Sequence, residues 1–240
     1  MDLQYDILTE LYLEGNISLS ELTYFTTPKA RKIIKSTRKV TKKEFIARIQ
    51  PGDIIVSFSN KKQFQKTSKA KIIATLMATF QGIPYTTSKL VLNNNLVGGY
   101  GLRVIKTSAE NKVETMPVVE MFKGRVEAIL IRPINATESQ KRNAISFLNK
   151  KKGLSYSGSD LFKTAWKRLV HKTRILKGKD LNKSDVDIIQ KPLFCSNLIS
   201  LAYRAAGYKG KFNNSLTWET WPRDFILDKD TEKICKVDYT

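Results

Sequence analysis

The chain has 240 residues, of which 41% are hydrophobic and 10% aromatic, which supports a buried core and excludes a disordered chain. Lys and Arg number 42 against 22 Asp and Glu, and the resulting net charge of +20 selects polyanionic partners such as nucleic acid, an acidic protein surface, anionic lipid or wall polymer. Two cysteines and one histidine argue against a disulfide framework and leave no recognisable metal-ligand spacing, so no metal and no cofactor is expected; a Cys195–Cys235 bridge stays open.

The opening segment MDLQYDILTE lacks the basic and apolar regions of a secretory signal. No apolar run reaches the roughly 18 residues a membrane helix needs. A protein cytoplasmic when made, without a membrane span, is therefore expected.

In chain order, residues 1–48 read as a basic helical arm and residues 49–240 as the main domain. Leu3, Ile7, Leu8, Leu11 and Tyr12 share one helical face, and Gly15 ends that helix. Ile17, Leu19 and Leu22 open a second short element. Thr27-Pro28 then reads as an N-cap followed by proline at the first helical position, opening a helix to about Lys39. That helix carries Lys29, Arg31, Lys32, Lys35, Arg38 and Lys39 as candidate binding residues. The three elements resemble a helix-turn-helix, but their pattern favours non-specific phosphate contact or an acidic docking surface over base reading; a solvated helix face is the plain alternative.

Pro51-Gly52-Asp53 is a turn signal. Ile54 to Phe58 follows as a strand, Lys69 to Phe80 as an amphipathic helix, and Lys89 to Leu92 as a strand. Asn93-Asn94-Asn95 turns into a Gly-rich strand from Leu96 to Val104. Val126 to Arg132 is a buried strand stopped by Pro133. Thr137 caps a helix to Lys150 with Ala144, Ile145 and Leu148 inward. A basic helix spans about Asp160 to Leu176, and an apolar helix runs from Cys195 to Ala206 with Gly207 at its end. Lys167, Arg168, Lys172 and Arg174 make a second candidate cationic surface, with Trp166 among them; sparse aromatics favour backbone contact over base stacking.

The order of these pieces resembles the YiiX-like members of the permuted papain-like amidases, in the NlpC-type cell-wall peptidase superfamily. The resemblance rests on Pro51-Gly52-Asp53-Ile54-Ile55, Gly82-Ile83-Pro84-Tyr85, Arg132-Pro133, Gly153-Leu154-Ser155-Tyr156, Phe194-Cys195-Ser196-Asn197-Leu198 and Trp221-Pro222-Arg223-Asp224-Phe225, across about residues 50 to 228. It implies an α+β fold, an antiparallel sheet packed with helices. It also implies a catalytic cysteine at Cys195, at a helix start where free backbone N–H groups favour negative charge on sulfur.

The same resemblance locates two losses. Thr87, or Ser88 one residue on, stands at the histidine position, and Gly98-Gly99-Tyr100, centred on Gly99, stands at the third polar position. Neither a hydroxyl nor a glycine replaces an imidazole base near neutral pH. Two substitutes are conceivable: His171 folding back from its basic helix, or Lys89 if burial lowers its pKa strongly. The expectation is a non-catalytic structural or adaptor protein on a degenerate amidase fold. Such amidases are frequent in bacteriophage genomes, so a virion component is implied, one that contacts nucleic acid backbone or an acidic protein surface and assembles with other virion subunits in an oligomer. The alternatives are a thiol amidase or acyltransferase using Cys195 on peptidoglycan peptides or acyl groups, and a nucleic-acid-binding protein free in the cell.

Overall fold

The computed structural model describes residues 28–59, 87–105, 108–122, 126–153, 155–156, 195–210, 220 and 222–238. The helices expected within residues 2–13, 17–22, 69–80 and 160–176 lie outside them. Two helices come first, α1 (Pro28–Ser36) and α2 (Lys42–Ala47). The strands are β1 (Ile54–Ser59), β2 (Thr87–Asn93), β3 (Leu96–Ile105), β4 (Ser108–Pro117), β5 (Val126–Pro133), β6 (Ser155–Tyr156) and β7 (Thr231–Val237). Between them lie α3 (Val118–Met121), α4 (Glu138–Lys150), α5 (Cys195–Ala205) and α6 (Pro222–Leu227). The strands form one seven-stranded sheet in the order β6-β4-β3-β2-β1-β5-β7, antiparallel at every pairing. The class is α+β, an antiparallel sheet packed against helices.

Both faces of the sheet are covered, which explains why β1 and β5 are apolar runs rather than alternating ones. On one face Ile54, Val56, Leu90, Ile129 and Ile131 pack with Leu198, Ile199, Ala202 and Tyr203 of α5 and Ala144 and Leu148 of α4. On the other, Ile55, Val91, Val97, Ala128 and Leu130 pack with Phe45 of α2 and with Val118, Met121 and Phe122. Each fully buried side chain of this size contributes roughly 1.5–3 kcal/mol.

The Asn93 turn forms as its composition predicts: the side-chain Oδ1 accepts the N–H groups of Asn95 and Leu96, each at 2.9 Å. α4 opens on a capping box, in which Gln140 N–H donates to Thr137 Oγ1 at 3.2 Å and Thr137 N–H donates to Gln140 Oε1 at 2.9 Å. Thr137→Ala removes the hydroxyl half of this exchange and should lower stability by about 1 kcal/mol in a urea titration, with an unchanged m-value. Gly207 ends α5 with φ +77°, a conformation that side chains resist, and Tyr208 N–H closes the turn on Tyr203 O at 3.0 Å.

The structure departs from the sequence reading at α1. The helix ends at Ser36, not near Lys39, because the Ser36 and Thr37 hydroxyls both donate to Ile33 O, at 3.0 and 2.7 Å. The chain then leaves helical geometry and meets β7. Lys236 N–H donates to Arg38 O at 2.8 Å, Val40 N–H donates to Lys236 O at 2.9 Å, and Lys39 pairs with Lys236 in parallel. Residues 28–48, assigned by sequence to the arm, are packed into the domain: Ala30 and Phe45 are fully buried, one in each core. β4 and β7 have no counterpart among the expected elements. Both cysteines are buried and neither is in a disulfide, so the bridge left open by the sequence is not formed. Among the described residues no helix is long and apolar enough to cross a membrane.

Candidate functional site

The site is built where the start of α5 meets the end of β2. Two sequence motifs frame it. Asp53, from the turn before β1, is buried and takes a bidentate bond from Arg132 at the end of β5: Nε to Oδ1 at 2.7 Å and Nη2 to Oδ2 at 2.8 Å. Arg132 Nη2 also donates to Arg48 O at 3.1 Å, and Gln50 N–H donates to Asp53 Oδ2 at 2.8 Å. Burial pushes the Asp53 carboxyl up against the pull of the guanidinium, and the bond to Asp53 raises Arg132. Tyr203, two turns along α5, donates its hydroxyl to Gly52 O in the same turn. The Pro-Gly-Asp segment, the Arg-Pro segment and the cysteine helix are thus joined through one polar network.

Cys195 is the first residue of α5 and only 9% exposed. Its Sγ accepts the backbone N–H of Ser88 at 3.3 Å. The β2–β3 register reaches Leu90↔Gly98, while β2 stays paired with β1 out to Thr87↔Ser57. The sulfur therefore meets β2 just beyond its pairing with β3.

Alternation decides which side chains of β2 share the cysteine's side of the sheet. Leu90 and Leu92 belong to the core containing α5, and Ser88 has their parity. Thr87, half-buried, has the parity of Val91 on the opposite face. The β2 residue whose backbone meets the sulfur is thus Ser88, the neighbour of the position the resemblance marks. Its Oγ is fully buried with no hydrogen-bond partner. Gly99 packs against β2: a Cβ there would lie 3.2 Å from Ser88 O and 3.5 Å from Lys89 Cα and Cγ. A larger side chain at that position would displace the strand that carries Ser88.

Lys89 is buried, as its candidacy as a base requires, and burial lowers its ammonium pKa against the opposing fields of Cys195 and Glu114. Its place in the sheet works against the role. Lys89 pairs in register with Ile55 of the second core, so its side chain leaves β2 on the face away from α5.

Of the expected cationic residues, Lys32, Lys35, Arg38 and Lys39 are exposed on or just after α1, and Lys29 and Arg31 belong to the same helix. Lys39 forms an ion pair with Asp238 at 3.2 Å. Lys167, Arg168, His171, Lys172 and Arg174 lie outside the described residues. Among the described residues no group of three or more His, Cys, Asp or Glu could hold a metal ion. Sequence reasoning missed Asn197, whose buried amide has neither its N nor its O hydrogen-bonded. Its signal was a polar residue within an apolar helix.

No family model matches the chain, and no curated protein matches it.

Proposed function

We propose that this protein is a non-catalytic structural or adaptor component built on a permuted papain-like, NlpC-type amidase fold, and that it contacts a nucleic acid backbone or an acidic protein surface within a bacteriophage virion. The reading rests on the resemblance, which implies that both acid–base positions are replaced. The observation that supports it is that the cysteine sulfur meets β2 through the backbone of a buried serine, Ser88, while Gly99, at the position the resemblance gives the third polar residue, offers no side chain. Efficient thiol hydrolysis needs a base beside the nucleophile and a polar group orienting that base; losing a member of such a set costs on the order of 10⁴ in rate. The net charge of +20 and the exposed cations around α1 support a polyanionic partner. The virion setting rests on the family resemblance.

A thiol-directed activity probe tests the first half of this reading, with Cys195→Ser as control. The native protein should label at Cys195 no faster than an ordinary buried cysteine and should release nothing from cell-wall peptides. Rapid labelling confined to Cys195, with turnover, would overturn it. Binding to duplex DNA tests the second half. If six to ten phosphates are contacted, affinity should fall by about 10³ or more between 50 and 200 mM salt.

One observation favours a second reading, a thiol amidase or acyltransferase. Cys195 opens an 11-residue helix and its sulfur already accepts a backbone N–H bond, the position at a helix start that the resemblance gives the nucleophile. The same probe experiment separates the two readings.

A further inference from the structure

At the end of β2 remote from the cysteine, the surface carries a groove of about 650 Å³ beside α4. Its α4 side is made by Arg142, Ile145, Ser146, Asn149 and Lys150, spaced i, i+3, i+4, i+7 and i+8, which is one face of a helix. Pro51, from the turn before β1, and Leu92 of β2 complete the lining. Leu92 stands four residues along β2 from Ser88, roughly 13 Å at the rise of a strand, so the groove is separate from the sulfur. Leu92 and Ile145 are half-buried, and each packs against the core shared with α5 while also lining the groove.

The charges around this apolar floor have one sign. Arg142 and Lys150 line the groove and are exposed, and no carboxylate lines it. The Glu138 carboxylate, which feels both Lys141 and Arg142, is bonded to Lys141 at 2.7 Å. Among the described residues Arg142 and Lys150 form no ion pair. The two cations are eight residues apart on α4, a rise of about 12 Å. In an extended peptide, residues i and i+4 lie about 13 Å apart and share one face with residue i+2. A segment with carboxylates at i and i+4 and an aliphatic residue at i+2 therefore matches the groove. The acids meet Arg142 and Lys150, and the aliphatic side chain lies on Pro51, Leu92 and Ile145.

We propose that this groove is the docking site for an extended acidic segment of a partner protein, of the pattern acid–x–aliphatic–x–acid. A phosphodiester backbone would satisfy the two cations but leave the apolar floor in water, where it contributes nothing to binding. The inference deepens the proposed function by choosing an acidic protein surface over nucleic acid at this face, and it rests on that reading for the polyanionic class of partner alone. It stands whether or not Cys195 is reactive.

A methyl NMR titration of the full chain tests this, with the end-blocked peptide Glu-Ser-Leu-Ser-Glu as the probe. The Leu92 and Ile145 methyl signals should shift at millimolar peptide or below. Glu-Ser-Gly-Ser-Glu, which lacks the apolar anchor, and Glu-Glu-Leu-Ser-Ser, which moves the acids together, should each bind about tenfold more weakly or worse. Arg142→Gln combined with Lys150→Gln alters exposed positions only. It should weaken the first peptide by about tenfold or more and flatten its salt dependence. A short DNA duplex should not displace the peptide from these methyls. The proposal is overturned by Leu92 and Ile145 signals that stay fixed at millimolar peptide, by equal affinity for the three peptides, by binding unchanged in the double variant, or by a duplex that moves the same signals and displaces the peptide. The proposed function fails separately. Polyanion binding that shifts the Ile33 and Ile34 methyls of α1 and leaves the groove silent would sink this inference and spare that reading, whereas rapid turnover at Cys195 would do the reverse.

Discussion

Replacing Arg132 with methionine should cost the folded protein about 3–5 kcal/mol, one of the largest losses expected from any single substitution in this chain. Methionine fills much of the volume of the arginine stem but leaves Asp53 buried without its bidentate partner. An isolated buried carboxylate loses far more hydration than its remaining Gln50 N–H bond returns. The loss should shrink as pH falls, because the orphaned carboxyl can then take up a proton. This follows from the direction of linkage, since Asp53 already lies above its ordinary value with the arginine in place. Chemical denaturation at pH 7 and at pH 5 measures both effects. Adding Asp53→Leu to Arg132→Met should recover much of the stability, as expected when an ion pair is replaced whole rather than broken. An Arg132→Met protein as stable as wild type at pH 7 would show that the pair does not brace the turn before β1.

Leu148→Ala should lose about 2–5 kcal/mol, and a second substitution should return part of that loss. Leu148 is fully buried in the core between α4 and the sheet, and its Cδ2 lies 2.5 Å from where a Cβ on Gly98 would stand. Gly98 exists at this point of β3 because the leucine occupies the space its side chain would need. Gly98→Ala alone should therefore destabilise by about 1–3 kcal/mol through overpacking. In the Leu148→Ala background the new methyl enters the vacated space, and the two effects should combine favourably by about 0.5–3 kcal/mol relative to their sum. Equilibrium unfolding of the four proteins in this cycle checks the contact directly. Strict additivity would mean that α4 does not seat on β3 through this pair.

The elements legible in the sequence are those whose signal is local. Ile54-Ile55-Val56 and Ala128 to Ile131 are apolar runs of strand length bounded by turn residues, and both became central strands. Thr137, three residues before Gln140, is a capping signature that needs no tertiary partner, and Gly207 marks a helix end by its own backbone freedom. β4 and β7 were not legible. SAENKVETMP and TEKICKV are rich in charged residues, and they are strands because β3 and β5 supply partners for their backbone groups. The end of α1 failed for a related reason. The basic pattern runs on through Lys39, but the edge of β7 takes Arg38 and Val40 into a ladder that helix propensity cannot register.

The candidate site divides along the same line. The sequence alone determined that a cysteine opens an apolar helix and that the chain carries a large positive charge; its resemblance to the amidases implies that threonine or serine and glycine stand at the acid–base positions. Only the tertiary structure decided that Ser88, rather than Thr87, meets the sulfur and that Lys89 leaves on the other face. Side chains along a strand alternate with a period of two, so a one-residue difference in alignment exchanges the faces. Which face lies toward the cysteine depends on where α5 packs and where the pairing of β2 with β3 ends. The packing of α5 on β2 joins segments more than a hundred residues apart, and no local pattern encodes it.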